Sequence, residues 1–231
     1  EVRIKGPQGL VTMQPGWLYE FRNGRLVRFR GFPTQDAAMR AAGDRVEILI
    51  DAGFGYGADA ARAIRVARKL EEIGIYWLEE PFEPAEFEAY AELADSVDIR
   101  VAAGEEEATR WGFRELVERG HVDVIQPDVT RCGGLSEALK IARDAERRGI
   151  QCVPHAWKSG VIKAASLPLN AVLEDAHFQE YCVAQTPINL GLTRERLPIV
   201  EGWVDVPVKP GLGIELDPDV LERYAVGAKP L

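Results

Sequence analysis

Cysteine, histidine and methionine are scarce: three, three and two among 231 residues. The cysteines, Cys132, Cys152 and Cys182, are odd in number, widely separated and free of any Cys-x-x-Cys pair. That argues against a disulfide framework or a thiolate zinc site and leads us to expect buried thiols in a reducing, cytoplasmic setting. No apolar run reaches the roughly 18 residues a membrane span needs, and no charged-then-apolar leader opens the chain, so neither spanning nor secretion is expected. Positive charge is also short. Lys and Arg number 28 against 37 Asp and Glu, a formal net charge of −9. Such a field repels nucleic-acid backbones and anionic membranes and points to a small-molecule partner. An anionic substrate would need a bound cation to offset it.

The residues present fall into two textures. In residues 1–43, WLYEF and RLVRFRGF flank Arg22-Asn23-Gly24, and Asn-Gly between alternating apolar and polar residues predicts a β-hairpin. TQDAAMRAAG then predicts a short helix with Thr34 as N-cap and Gly43 as stop. Residues 44–231 form the second unit, where strand and helix alternate from Val46 onward. The predicted strands are VEILID, IYWLEE, IRVAAGE, VDVIQPD, IQCVPH and HFQEY, continuous apolar runs of the kind a parallel sheet buried on both faces requires. Between them lie amphipathic helices, one presenting Ala60, Ala63, Ile64, Ala67 and Leu70, another Leu135, Ala138, Leu139 and Ala142. About six βα units are countable. The fold class expected is α/β, an incomplete (β/α)8 TIM-type barrel preceded by a hairpin and closed by a turn-rich C-terminal segment.

One ionisable residue follows each predicted strand. Asp51, Glu79, Glu105, Asp128, His155 and Glu180 are spaced by 28, 26, 23, 27 and 25 residues, each interval long enough for a strand, a helix and two short loops. The spacing puts them on the rim at the carboxyl ends of the strands, where parallel barrels carry their chemistry. Asp51, Glu79 and Glu105 are candidate metal ligands, since three converging carboxylates repel one another unless a divalent cation sits among them. An all-oxygen donor set favours Mg²⁺ over zinc. Asp128 and His155 would be neighbours, the carboxylate fixing the imidazole tautomer and raising its basicity. Glu180 would complete the ring as a hydrogen-bond donor to a substrate carboxylate. Lys158 and Lys163 are expected to be solvated helix lysines, and Trp77 to pack between strand and helix.

LEEPF at 78–82, AAGE at 102–105, QPDVTRCGG at 126–134, VPH at 153–155, FQEY at 178–181 and PGLGIE at 210–215 together resemble the mandelate racemase subgroup of the enolase superfamily, from about Gly43 to Tyr224. The resemblance implies that Asp51, Glu79 and Glu105 bind Mg²⁺ and that Glu80 sits behind them. It also implies that Asp128 and His155 form a His-Asp dyad and that Glu180 lies opposite a metal-bound carboxylate. The activity implied is abstraction of the proton α to a carboxylate. In the dehydratases of the subgroup the histidine helps the 3-hydroxyl of an acid sugar leave as water, giving a 2-keto-3-deoxy acid.

The sequence also departs from this pattern. Relatives carry a Lys-x-Lys pair upstream of the first metal ligand and a capping domain before it, whereas only 50 residues precede Asp51 and Arg28-Phe29-Arg30 is the nearest imitation. Arginine stays protonated and makes a poor base. Residues 1–43 instead resemble the tail of a SnoaL-like domain. Three outcomes are therefore carried forward: an acid-sugar dehydratase, a racemase or epimerase of 2-hydroxy acids, and an inactive fusion or remnant that only binds metal. An open sheet edge leads us to expect self-association into a homo-oligomer.

Overall fold

The computed structural model describes residues 2–6, 9–13, 16–22, 25–32, 47–176, 178–182, 186–200 and 203–227. Strands β1 (Val2–Gly6) and β2 (Gly9–Met13) pair antiparallel, as do β3 (Gly16–Arg22) and β4 (Arg25–Phe32). Arg22 pairs with Arg25, and Asn23-Gly24 between them lies outside the described residues. This is the hairpin that the Asn-Gly signal predicts. The helix expected at 34–43 and the boundary at Gly43-Asp44 lie outside the described residues.

Five parallel strands follow in sequential order: β5 (Ile48–Asp51), β6 (Ile75–Glu79), β7 (Arg100–Ala103), β8 (Val124–Ile125) and β9 (Gln151–Cys152). Each leads into a helix: α1 (Ala60–Glu71), α2 (Phe87–Ala94), α3 (Thr109–Gly120), α4 (Leu135–Arg147) and α5 (Gly160–Asn170). Two short helices, α6 (Pro187–Gly191) and α7 (Pro218–Tyr224), lie in the C-terminal segment. Helix starts follow local chemistry. Asp59 accepts the Arg62 amide at 2.9 Å and Ser159 the Ile162 amide at 3.4 Å, each satisfying an amide that the first turn leaves unpaired.

Alternation along the strands divides the core. Leu78, Val101, Ala103, Ile125 and Cys152 point toward the helices and join the large cluster with Ala63, Ala67, Leu93, Leu116 and Ile141. Trp77, Ala102, Val124 and Val153 point the other way and meet Phe178 in a smaller inner cluster. Both faces are thus covered, which is why the strands read as unbroken apolar runs. Trp77 accordingly lies on the inner face, not between strand and helix as expected. The period of two puts Glu79 on the same side as Trp77, and the register that pairs Leu49 with Trp77 pairs Asp51 with Glu79.

Two sequence expectations need correction here. On α4 the buried stripe is Ala138, Ile141, Ala142 and Ala145, while Leu135 and Leu139 are 40% and 38% exposed. The apolar arc is simply rotated toward the residues small enough to approach the sheet. The sixth predicted strand, HFQEY, is not a strand over its described residues. Its backbone is held by side chains instead: Asn170 Nδ2 donates to the Phe178 carbonyl at 3.0 Å and Gln179 Nε2 to that of Glu180 at 2.8 Å. Phe178 nonetheless keeps its place, edge-on to Tyr76 and Trp77 with ring centroids 5.0 and 5.5 Å away.

Because Leu78 is 1% exposed and sits in the centre of the sheet–helix layer, Leu78→Ala should cost about 3 kcal/mol through lost burial and the cavity left behind. Urea denaturation should show this as a lower midpoint with an unchanged slope.

Candidate active site

Parallel pairing brings every strand's carboxyl end to one edge. The ladder continues past the strands through Ala52 N–H to the Glu79 carbonyl (2.8 Å), Glu80 N–H to Ala102 (2.9 Å), Gln126 N–H to Ala103 (3.0 Å) and Val153 N–H to Ile125 (3.0 Å). Asp51 and Glu79 close their strands, and Glu105, Asp128 and His155 follow theirs by two or three residues.

His155 lies at the centre. Its Nδ1 is 3.0 Å from Asp128 Oδ2, and its Nε2 is 3.1 Å from Glu105 Oε2 and 4.0 Å from Glu180 Oε2. The imidazole is 5% exposed and Asp128 6%. Asp128 is itself fixed, because Oδ1 accepts both the amide (2.7 Å) and the hydroxyl (2.6 Å) of Thr130. The dyad read from the sequence is thus an actual contact. Thr130 was missed, although an acidic residue followed two positions later by threonine is the local signature of this turn.

The carboxylates do not all converge. Asp51 Oδ1 accepts the Gly53 amide at 2.8 Å, Glu79 Oε2 the Trp77 indole N–H at 3.0 Å, Glu180 Oε2 the Ala156 amide at 2.6 Å, and Glu105 faces His155. Among the described residues no three His, Cys, Asp or Glu side chains are arranged to close on one metal ion. Each carboxylate of the trio expected from the sequence has a local partner of its own. The chemistry of the set still suits a hard cation. Donors are all oxygen, Asp51 and Glu79 are register partners, and Glu79 feels Glu180, Asp51 and Glu105 together.

Burial, then the charges of those three neighbours, pushes the Glu79 carboxyl up to about 8, against an easing hydrogen bond from Gln126. Burial and the nearby Glu105, Glu79 and Asp51 do the same to Glu80, also to about 8. Glu180 is raised by burial, with His155 and the Ala156 amide opposing. Burial disfavours the charged imidazole, but the Asp128 hydrogen bond and the Glu180 and Glu105 charges outweigh it and hold His155 at about 9. For Asp128, burial is overcome by the hydrogen bonds of His155 and Thr130, so its carboxyl lies below the ordinary range. Burial and mutual repulsion thus favour the neutral form of Glu79, Glu80 and Glu180, while the carboxylates beside His155 favour its charged form.

The enolase C-terminal domain-like family matches residues 34–220. The chain belongs to that family. It is 36% identical over 196 residues to a D-galactarolactone cycloisomerase of Agrobacterium fabrum, covering 81% of this chain and 51% of the relative. It is 30% identical over 188 residues to an arabinonate dehydratase of Saccharolobus solfataricus, covering 81% and 50%. Among solved structures, the 3,6-anhydro-D-galactonate cycloisomerase of Zobellia galactanivorans superposes with a TM-score of 0.75 at 33% identity, covering 82% of this chain and 53% of that one. An enolase-superfamily member from Salmonella Typhimurium superposes with a TM-score of 0.74 at 30% identity, over 81% and 48%. The chain spans about half the length of the curated relatives it matches. The family match begins at residue 34, within the segment assigned to the first unit.

One lysine expectation fails. Lys163 is 4% exposed, its Nζ 2.6 Å from Asn189 Oδ1 and 4.0 Å from the centre of the Tyr181 ring. It is a core residue of α5, not a solvated one. Lys158 is exposed. His121 caps α3 and pairs with Asp95 at 3.0 Å on the surface, and His177 lies outside the described residues.

A pH dependence of stability follows from these groups. Glu79 and Glu80 bind protons more tightly folded (about 8) than unfolded (4.5), and His155 does too (about 9 against 6.5). Stability contributed by the cluster is therefore full below those unfolded values and is lost as pH rises through 8 and 9. Thermal unfolding should give a Tm that falls steadily from pH 5 to pH 9, and Glu80→Gln should flatten the fall. A Tm rising over that interval would contradict the assignment.

Proposed function

We propose that this chain carries the rim of a TIM-type barrel that removes the proton α to a carboxylate, and that the reaction is dehydration of an aldonate or aldarate to a 2-keto-3-deoxy acid. The observation that carries the reading is a buried His155 held by Asp128 at 3.0 Å and aimed at Glu105 and Glu180. Support also comes from the family and from relatives named as a D-galactarolactone cycloisomerase and an arabinonate dehydratase.

Asp51, Glu79 and Glu105 would hold Mg²⁺, whose hard charge suits oxygen donors. Bound there, the ion would draw charge from a substrate carboxylate and so acidify its α-carbon. Asp128 keeps Nδ1 of His155 protonated and leaves Nε2 to exchange its proton with substrate. Nε2 would take the α-proton and pass it to the departing 3-hydroxyl, which leaves as water. Glu180, whose burial favours the neutral acid, would donate to the substrate carboxylate from the other side. A racemase is the second reading. It needs a base on each face of the substrate, and His155 is the one imidazole among the described rim residues.

Three measurements test this proposal. Incubated with aldonates and aldarates and Mg²⁺, the chain should release 2-keto-3-deoxy acid; α-hydrogen exchange with inversion in deuterated water would indicate the racemase instead, and neither reaction would leave a metal-binding remnant. His155→Asn should lower turnover by about 10²-fold or more while Mg²⁺ affinity, followed calorimetrically, stays nearly the same. Mg²⁺ should also raise Tm more at pH 8 than at pH 5, because only ionised carboxylates bind it.

A further inference from the structure

Helix α5 buries a polar stripe. Lys163, Ser166 and Asn170, three and then four residues apart, share one face of the helix, and all three are at most 8% exposed. Ser166 Oγ lies 3.2 Å from the His155 carbonyl and 2.8 Å from that of Ile162. Asn170 Nδ2 donates to the Phe178 carbonyl at 3.0 Å. Lys163 Nζ donates to Asn189 Oδ1 at 2.6 Å, and Asn189 Nδ2 donates in turn to the Cys182 carbonyl at 3.2 Å. The same ammonium sits over the ring of Tyr181, whose hydroxyl donates to the Leu197 carbonyl. One face of one helix therefore grips His155 on one side and both ends of the segment bearing Glu180 on the other.

That segment has no strand ladder to hold it. Burying an ammonium with one amide acceptor and an aromatic face is costly compared with burying an aliphatic side chain of similar length. A methionine would fill the same space without that penalty. Stability alone does not account for a lysine there, whereas fixing the neighbouring backbone does: the cation ties Tyr181 and, through Asn189, Cys182, on the two positions following Glu180.

We infer that Lys163 is a positioning residue that, with Asn189, sets the Glu180 carboxylate against the Ala156 amide and His155. The inference rests on the reading of Glu180 as part of the site, but its test needs neither substrate nor metal. The Ala156 amide, 2.6 Å from Glu180 Oε2, is the reporter. The Thr130 amide, 2.7 Å from Asp128 Oδ1, is an internal control on the same rim.

In amide NMR of the full chain, Lys163→Met should move the Ala156 proton upfield and speed its exchange with solvent about ten-fold, the loss of one well-made hydrogen bond. Thr130 should keep both its shift and its exchange rate. Lys163→Arg, which keeps a cation over Tyr181 and a donor to Asn189, should restore most of the Ala156 signal. Asn189→Ala, which cuts the link to Cys182 and leaves the lysine intact, should reproduce the selective loss even if Lys163→Met does not fold. An unchanged Ala156 amide in both variants overturns the inference. So does a parallel loss at Ala156 and Thr130, which would mark the lysine as a general support of the fold. Absence of dehydratase activity would leave these outcomes readable, and failure here would leave the ketoacid assay standing.

Discussion

Parallel pairing in sequential order is the constraint from which the site follows. In an antiparallel sheet, successive strands would deliver their last residues to opposite edges. Here β5 to β9 run the same way and each pairs with the next in chain order, so residues 51, 79, 105, 128 and 155 reach one edge although the chain spends a helix between each pair. The inner face behind that edge is small, built from Trp77, Ala102, Val124, Val153 and Phe178. Of the ionisable groups at that edge, Glu80, Asp128 and His155 are buried, Glu79, Glu105 and Glu180 are half-buried and Asp51 is exposed, so charges among the buried ones act on one another with little screening.

The consequence is an electrostatic imbalance with a definite sign. Glu105, Asp128 and Glu180 face one imidazole, Glu80 feels its charge, and Asp51 and Glu79 stand on the same rim. Asp128 differs from Glu79, Glu80 and Glu180, because two hydrogen bonds from Thr130 and one from His155 stabilise its ionised form. It can therefore remain charged beside His155 and keep it protonated, while Glu79 and Glu80 are driven toward the neutral acid. A hard cation, a protonated imidazole and protonated carboxylates are the ways such a rim can recover balance. In this structure Glu105 is turned to His155.

Most of this was legible because it depends on period and spacing. Alternating strand and helix, the Asn23-Gly24 hairpin, the buried face of α1 and the contact of Asp128 with His155 all express local rules that a linear sequence carries. What escaped depends on three-dimensional neighbours. HFQEY has the composition of a strand, yet its Phe178 carbonyl finds a side-chain donor from α5, and nothing in the segment itself announces that partner. Lys163 reads as an exposed lysine because its acceptor is 26 residues away on α6. Carboxylate rotamers are equally invisible, so a sequence that puts Asp51, Glu79 and Glu105 on one rim does not reveal that each has turned to a nearby N–H.

These escapes share a cause. Wherever the ladder runs, the position of a functional side chain is set by backbone register and can be counted from the sequence. At Glu180 the ladder has stopped, and position must be set by side chains reaching in from α5 and α6. Side-chain anchors are fewer and individually weaker than a register of strand bonds, so a group held by them can be displaced without unfolding the sheet. Glu180 is therefore the member of the ring whose geometry single substitutions far from the rim can tune, whereas moving Asp51 or Glu79 would require shifting a strand past its neighbour and turning its whole inner face outward.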